Sequence, residues 1–152
     1  MPAGVEELLI QLLDKNNSTA YGALRALEEL SEESAQVYPY MERFAGMLNS
    51  ESPYVRTRGL TLIAHNAKWD TDNKVDEIID AFLEHIADPK PVAARQCIKL
   101  LPMLAKYKPG LREDIAAALL RADPSRYSAG MRPLVSADIQ KALTEIGALS
   151  DQ

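Results

Sequence analysis

The sequence predicts an all-α protein built as an α-solenoid of about four helical hairpins, eight helices in all, and three observations carry that expectation. The segment Pro53-Tyr54-Val55-Arg56-Thr57-Arg58 returns in altered form as Lys90-Pro91-Val92-Ala93-Ala94-Arg95, so that Val55 recurs as Val92 and Arg58 as Arg95 at a spacing of 37. A period of roughly 35 to 50 residues made of two helices marks a stacked array in which no unit buries its core alone. Apolar residues also recur at helical spacing along the whole chain, without strand-like alternation. Finally, 47% of the 152 residues are apolar but only 6% aromatic, a composition suited to Leu, Ile, Val and Ala packing helix on helix. The length fits one domain, 1–152, with units at roughly 1–34, 35–70, 71–108 and 109–152. An ordinary four-helix bundle is the main structural competitor.

Each hairpin has its own justification. Val5, Leu8, Leu9, Leu12 and Leu13 form one helix face, Asn16-Asn17-Ser18 ends that helix and caps the next, and Ala20, Ala23, Leu24, Leu27 and Leu30 continue as its partner. The second pair begins with Val37, Met41, Phe44 and Leu48. It breaks at Asn49-Ser50-Glu51-Ser52-Pro53, where Ser52 offers an N-cap and Pro53 takes the first helical position, and it resumes with Val55, Gly59, Leu62, Ile63 and Asn66. After Trp69-Asp70-Thr71-Asp72-Asn73 the third pair opens with Val75, Ile78, Ile79, Phe82, Leu83 and Ile86, its other face solvated by Asp76, Glu77, Asp80 and Glu84. Asp88-Pro89-Lys90-Pro91 then turns the chain into a helix burying Ala94, Cys97, Ile98, Leu101, Leu104 and Ala105, with Pro102 inside it predicting a bend. Pro109-Gly110 separates a fourth unit: Leu111, Ile115, Ala118, Leu119 and Ala122, a longer connection from Asp123 to Gly130, and Leu134, Val135, Ile139, Ala142, Leu143 and Ile146.

Charge is segregated along the chain. The net charge of −5 argues against a general polyanion binder, and residues 1–50 hold eight acids against three bases. Two stretches contain no acid: 53–69, with Arg56, Arg58 and Lys68, and 89–112, with Lys90, Arg95, Lys99, Lys106, Lys108 and Arg112. No apolar run approaches the roughly 20 residues that cross a bilayer, and the opening Met1-Pro2-Ala3-Gly4-Val5-Glu6-Glu7 has acids where a signal peptide has bases, so a cytoplasmic protein without membrane association is expected.

Most catalytic chemistries lack their residues. The seven glycines come no closer than 13 positions, which excludes a Gly-rich phosphate loop, and His65 and His85 have no cysteine or histidine at ligand spacing, so no metal or cofactor is expected. Cys97 lies on a buried stripe and reads as a small core hydrophobe; a Cys97 dyad with either histidine lacks an orienting third group. Asp76 and Asp80 are one turn apart on a polar face, without an apolar pocket to raise a pKa. Nothing points to a small-molecule substrate. The basic residues are more informative, because Arg95, Lys99, Met103 and Lys106 fall at i, i+4, i+8 and i+11 beside a buried face, and the equivalent stripe one repeat earlier holds Arg58, Leu62, Asn66 and Trp69, with His65 adjacent.

Tyr54-Val55-Arg56-Thr57-Arg58-Gly59-Leu60 and Asp88-Pro89-Lys90-Pro91-Val92-Ala93-Ala94-Arg95 resemble the HEAT-repeat family of α-solenoids, at pattern level over the whole chain and specifically in the second and third units. The string Tyr54 to Asp70, with Ala94-Arg95-Gln96-Cys97 and Met131-Arg132-Pro133-Leu134, is also similar to small bacterial HEAT proteins labelled SufBD protein. That label implies iron–sulfur assembly, but one cysteine and two histidines do not supply the usual four cluster ligands. The family resemblance implies a right-handed superhelix whose second helices line a concave face, which would become a basic groove. Arg58 and Arg95 there have two readings: an inter-repeat ladder with preceding acids such as Glu51 and Asp88, or direct partner contact. Trp69 likewise either staples its turn against Lys68 and Asp72 or stands exposed as an anchor.

The expected function is a non-catalytic adaptor, not an enzyme, binding an acidic or amphipathic segment of another protein through Tyr54, Arg56, Arg58, His65, Trp69, Arg95, Lys99, Lys106 and Arg132. The alternative is a nucleic-acid binder resembling the HEAT-repeat alkylpurine DNA glycosylases, which the acidic N-terminal third disfavours. A lyase or chaperone role, as in HEAT proteins that attach or detach bilins, has only the fold behind it.

Overall fold

In the computed structural model, which describes residues 4–149, eight α-helices follow in chain order: α1 Val5–Leu12, α2 Asn17–Glu33, α3 Met41–Met47, α4 Pro53–His65, α5 Lys74–Glu84, α6 Pro91–Tyr107, α7 Arg112–Arg121 and α8 Arg132–Leu149. No strand occurs among the described residues, and short 3-10 turns fill several connections, including Tyr38–Tyr40, Ala67–Trp69 and His85–Ala87. The outermost residues of the first and last predicted units, 1–3 and 150–152, lie outside the described residues, and with them the start of the acidic opening segment.

The helix starts follow from local chemistry. Asn16 caps α2 by accepting from the Thr19 amide at 3.1 Å, and Ser52 caps α4 by accepting from Val55 at 3.4 Å, with Pro53 at the first helical position as expected. α5 is started differently. Asn73, the one non-glycine residue with positive φ among those described, turns the chain at φ 55°, and the Asp70 carboxylate reaches forward to accept from the Lys74 and Val75 amides at 2.8 and 3.0 Å. A carboxylate there satisfies donors that the helix cannot and sits favourably in the dipole. α6 continues through Pro102 without ending, so the missing N–H does not terminate the helix.

Packing joins neighbours in sequence. α1 packs on α2, α3 on α4 and α7 on α8, while α5 passes into α6 through the His85–Ala87 turn. The second helices also pack on one another in order: α2 on α4, α4 on α6 and α6 on α8. Between these layers Leu27, Phe44, Ile63, Phe82, Leu101 and Ile115 are all buried, forming one continuous core. Gly59 sets the closest approach. A Cβ there would lie 2.8 Å from the Phe44 carbonyl oxygen and 2.9 Å from Met47 Cβ, so α4 seats directly on α3 only because that position carries no side chain. No helix among the described residues is long and apolar enough to cross a membrane.

Candidate functional site

Two of the arginines expected to bind a partner are parts of the fold. Arg56 is buried, and its Nε and Nη2 donate to Asp88 Oδ2 and Oδ1 at 2.9 and 2.8 Å while Nη1 donates to the Ser50 and Glu51 carbonyls, both at 3.0 Å. This corrects its assignment as a surface contact: a bidentate pair with every nitrogen engaged is a strut between the second and third units. Asp88 also accepts from the Lys90 amide at 2.9 Å and meets His85 Nδ1 at 2.8 Å, and its main-chain carbonyl accepts from the Tyr127 hydroxyl at 2.6 Å. Burial pushes the Asp88 carboxyl up, but the hydrogen bonds from Arg56, His85 and Lys90 outweigh it and hold the pKa below the ordinary value.

Arg95 is the second such residue. Its Nε donates to Asp138 Oδ2 at 2.6 Å and its Nη2 to Oδ1 at 3.4 Å, tying α6 to α8. The expected pairing of Arg58 and Arg95 with Glu51 and Asp88 is therefore corrected in detail: Asp88 is taken by Arg56, Arg95 reaches forward to Asp138, and Arg58 reaches backward to α1. Trp69 is a staple. Its Nε1 donates to the Ser31 carbonyl at 2.7 Å and Lys68 Nζ lies 5.3 Å from its ring centroid, while Lys68 also donates to the Glu32 carbonyl, so the turn after α4 is fastened to the end of α2 rather than to Asp72.

The remaining predicted residues do not share one surface. His65 is half-buried, 3.8 Å from Glu28 and 3.6 Å from Glu32, and with Lys106 it borders a crevice of about 320 Å³ that also holds Lys68 and Tyr107. Lys99 is exposed at a separate crevice of about 220 Å³ beside Asp138 and Lys141. Arg132 is exposed, with Nε donating to the Tyr127 carbonyl at 2.8 Å. Acidic neighbours, Glu32, Asp138 and Glu145, interleave with these lysines, so the stripe is not a basic groove.

Tyr54 and Arg58 alone among the predicted residues face a half-open trough of about 730 Å³ crossing α2, α4 and α6. Its surface is mainly apolar. Each of the three helices contributes one large exposed apolar side chain: Tyr21 from α2 (58% exposed), Tyr54 from α4 (60%) and Val92 from α6 (67%). An exposed apolar group on each of three adjacent helices, gathered in one depression, is the kind of patch that marks a docking site. Tyr21 and Val92 were not among the predicted residues. Their signal is readable: both lie off the buried stripes of their helices, Ala20, Ala23, Leu24 and Leu27 for one and Ala94, Cys97 and Ile98 for the other, where an apolar residue has no core to fill.

Arg58 lies deep in this trough, 7% exposed. Its Nη1 donates to the Leu12 carbonyl and its Nη2 to Asn17 Oδ1, both at 3.1 Å and both neutral acceptors. Burial pulls its pKa down from the usual guanidinium value. Elsewhere the chemistry is quiet. Cys97 is fully buried, donates to the Phe82 carbonyl at 3.4 Å and has its thiol pKa pushed well up by that burial, in keeping with a core residue. Among the described residues no three His, Cys, Asp or Glu side chains gather at metal-binding distance. Comparisons with family models, with curated proteins and with solved structures return no match for this chain.

Proposed function

We propose that the chain is a non-catalytic protein-binding module, an α-solenoid of four HEAT-like hairpins in a right-handed superhelix, that holds an amphipathic, acidic segment of another cytoplasmic protein. The consecutive packing of α2, α4, α6 and α8 supports the solenoid reading, since in such arrays each unit touches only its neighbours. The single buried Cys97, outside any disulfide framework, supports a reducing compartment.

The observation that carries the reading is the apolar trough with Tyr21, Tyr54 and Val92 exposed on three successive inner helices. Rigid aromatic side chains supply large contact area at low entropic cost, and a depression spanning three helices suits an extended or helical segment. Of the basic residues expected to bind a partner, Arg58 belongs to this surface, whereas the aspartate pairs of Arg56 and Arg95 weaken the nucleic-acid alternative by removing two cations from any phosphate-binding face.

Affinity purification from the native cell tests this directly. Tyr54→Ala with Val92→Ser removes the partner while leaving the thermal midpoint nearly unchanged; Lys99→Glu with Lys106→Glu leaves capture intact. Retention by the first variant and loss by the second would place binding on the lysine side. Retardation of duplex DNA at low salt that collapses as salt rises would favour the alternative.

A further inference from the structure

Helices α4 and α6 carry three arginines whose Nε–H groups meet different fates. Arg56 Nε donates to Asp88 and Arg95 Nε to Asp138. Arg58 Nε makes no hydrogen bond within the described residues and is not sealed from solvent, and no described carboxylate lies within ion-pair distance of its guanidinium. The two bonds that it does make fix the plane of the fork against neutral groups and leave three of its five N–H bonds for something else.

We propose that Arg58 is the receptor for a side-chain carboxylate in the bound segment, an Asp or Glu next to an aromatic or aliphatic residue that packs on Tyr21, Tyr54 and Val92. This rests on the trough being the binding site. Charge complementarity chooses the carboxylate: three cations, Arg25, Arg58 and Lys90, line the trough against one acid, Glu28, and Glu28 lies 3.8 Å from both Arg25 and His65. A largely desolvated guanidinium without a counter-charge favours an anion far more than an exposed lysine does, because a charge-assisted bond strengthens as water is excluded.

The threonine hydroxyls beside Arg58 are already engaged. The Thr57 and Thr61 hydroxyls donate back to the Pro53 and Thr57 carbonyls at 2.8 Å each, and Gln96 Nε2 donates to Thr61 Oγ1 at 3.3 Å. Position chooses a side chain over a chain terminus. Arg58 sits on the middle helix of the three that form the trough, between Tyr54 one turn before it and Thr61 one turn after, so a segment whose acid meets Arg58 continues past it in both directions.

The test pans the immobilised full chain against a displayed library of random twelve-residue peptides. Enriched sequences are expected to share an Asp or Glu beside an aromatic or aliphatic residue, and replacing that acid by its amide in the best peptide weakens binding to the unaltered protein by roughly 10- to 100-fold. Against Arg58→Gln the same peptide change has little effect, which a double-mutant cycle reads by calorimetry. Because the peptide exchange leaves the protein untouched, an acid that can be replaced by its amide without loss of binding overturns the proposal even where Arg58→Gln folds poorly. Peptides that lack an acid yet lose binding in Tyr54→Ala overturn the carboxylate receptor and leave the trough reading standing. Failure to select any peptide whose binding depends on Tyr54 overturns both.

Discussion

The second and third repeats begin with the same pattern and put it to different uses. Val55 and Val92 are equivalent in sequence, but Val55 is half-buried against the core whereas Val92 is 67% exposed at the rim of the trough. Arg58 and Arg95 are equivalent too, yet Arg95 is neutralised by Asp138 on α8 while Arg58 rests on a backbone carbonyl and an amide. At 59 the second repeat has a glycine that lets α4 touch α3, and the matching position is Gln96. The motif fixes where a side chain leaves its helix. The neighbouring helix decides whether that side chain becomes a strut or a contact.

The largest break in this comparison comes from Arg56, which the third repeat replaces with Ala93. Arg56→Met leaves the Asp88 carboxylate buried without its main partner and costs about 3–5 kcal/mol in urea unfolding. Acid attacks the same joint. Asp88 and Asp70 both have folded pKa values below the ordinary 3.8, so their contribution is complete above that value and disappears as pH falls through the lower folded values. For Asp70 burial again pushes upward, and hydrogen bonds from Tyr38, Lys108 and the Val75 and Lys74 amides outweigh it. Unfolding free energy is therefore level from neutrality down to about pH 5 and drops below about pH 4, with a shallower drop in Asp88→Asn.

Gly59→Ala forces α4 off the Phe44 carbonyl and costs about 1–3 kcal/mol, while Gln96→Ala at the equivalent place is expected to cost less than about 1 kcal/mol; chemical denaturation of the pair measures the contrast. Arg58→Met leaves the buried Leu12 carbonyl without its Arg58 donor, at about 1–2 kcal/mol, whereas Arg95→Met breaks a partly exposed ion pair worth about 1 kcal/mol or less. Equal costs at the two positions would remove the distinction between them.

Much of the fold was legible because helical periodicity and end signals are local. The apolar stripes located all eight helices, and Asn16 and Ser52-Pro53 marked two starts that the hydrogen bonds confirm. The roles of the basic residues were not legible, because they depend on carboxylates 32 residues onward for Arg56 and 43 for Arg95. Part of the error was avoidable: residues two apart on a helix diverge by about 200°, so Arg56 and Arg58 never share a face. Tyr127, inside the longer connection from Asp123 to Gly130, is 6% exposed and hydrogen-bonded to the Asp88 carbonyl, a core role with no periodic signal. The trough itself was half visible, through Tyr54 and Arg58; Tyr21 and Val92 needed the juxtaposition of α2, α4 and α6.

The most direct measurement follows the arginine Nε–Hε resonances of the whole chain during titration with 3-phenylpropionate, the smallest probe that joins a carboxylate to an apolar ring. The account predicts that the Arg58 resonance moves saturably, that 3-phenylpropanamide does not move it, and that Arg56 and Arg95 stay with their aspartates. An Arg58 resonance indifferent to the carboxylate, or one outpaced by Arg95, would contradict it.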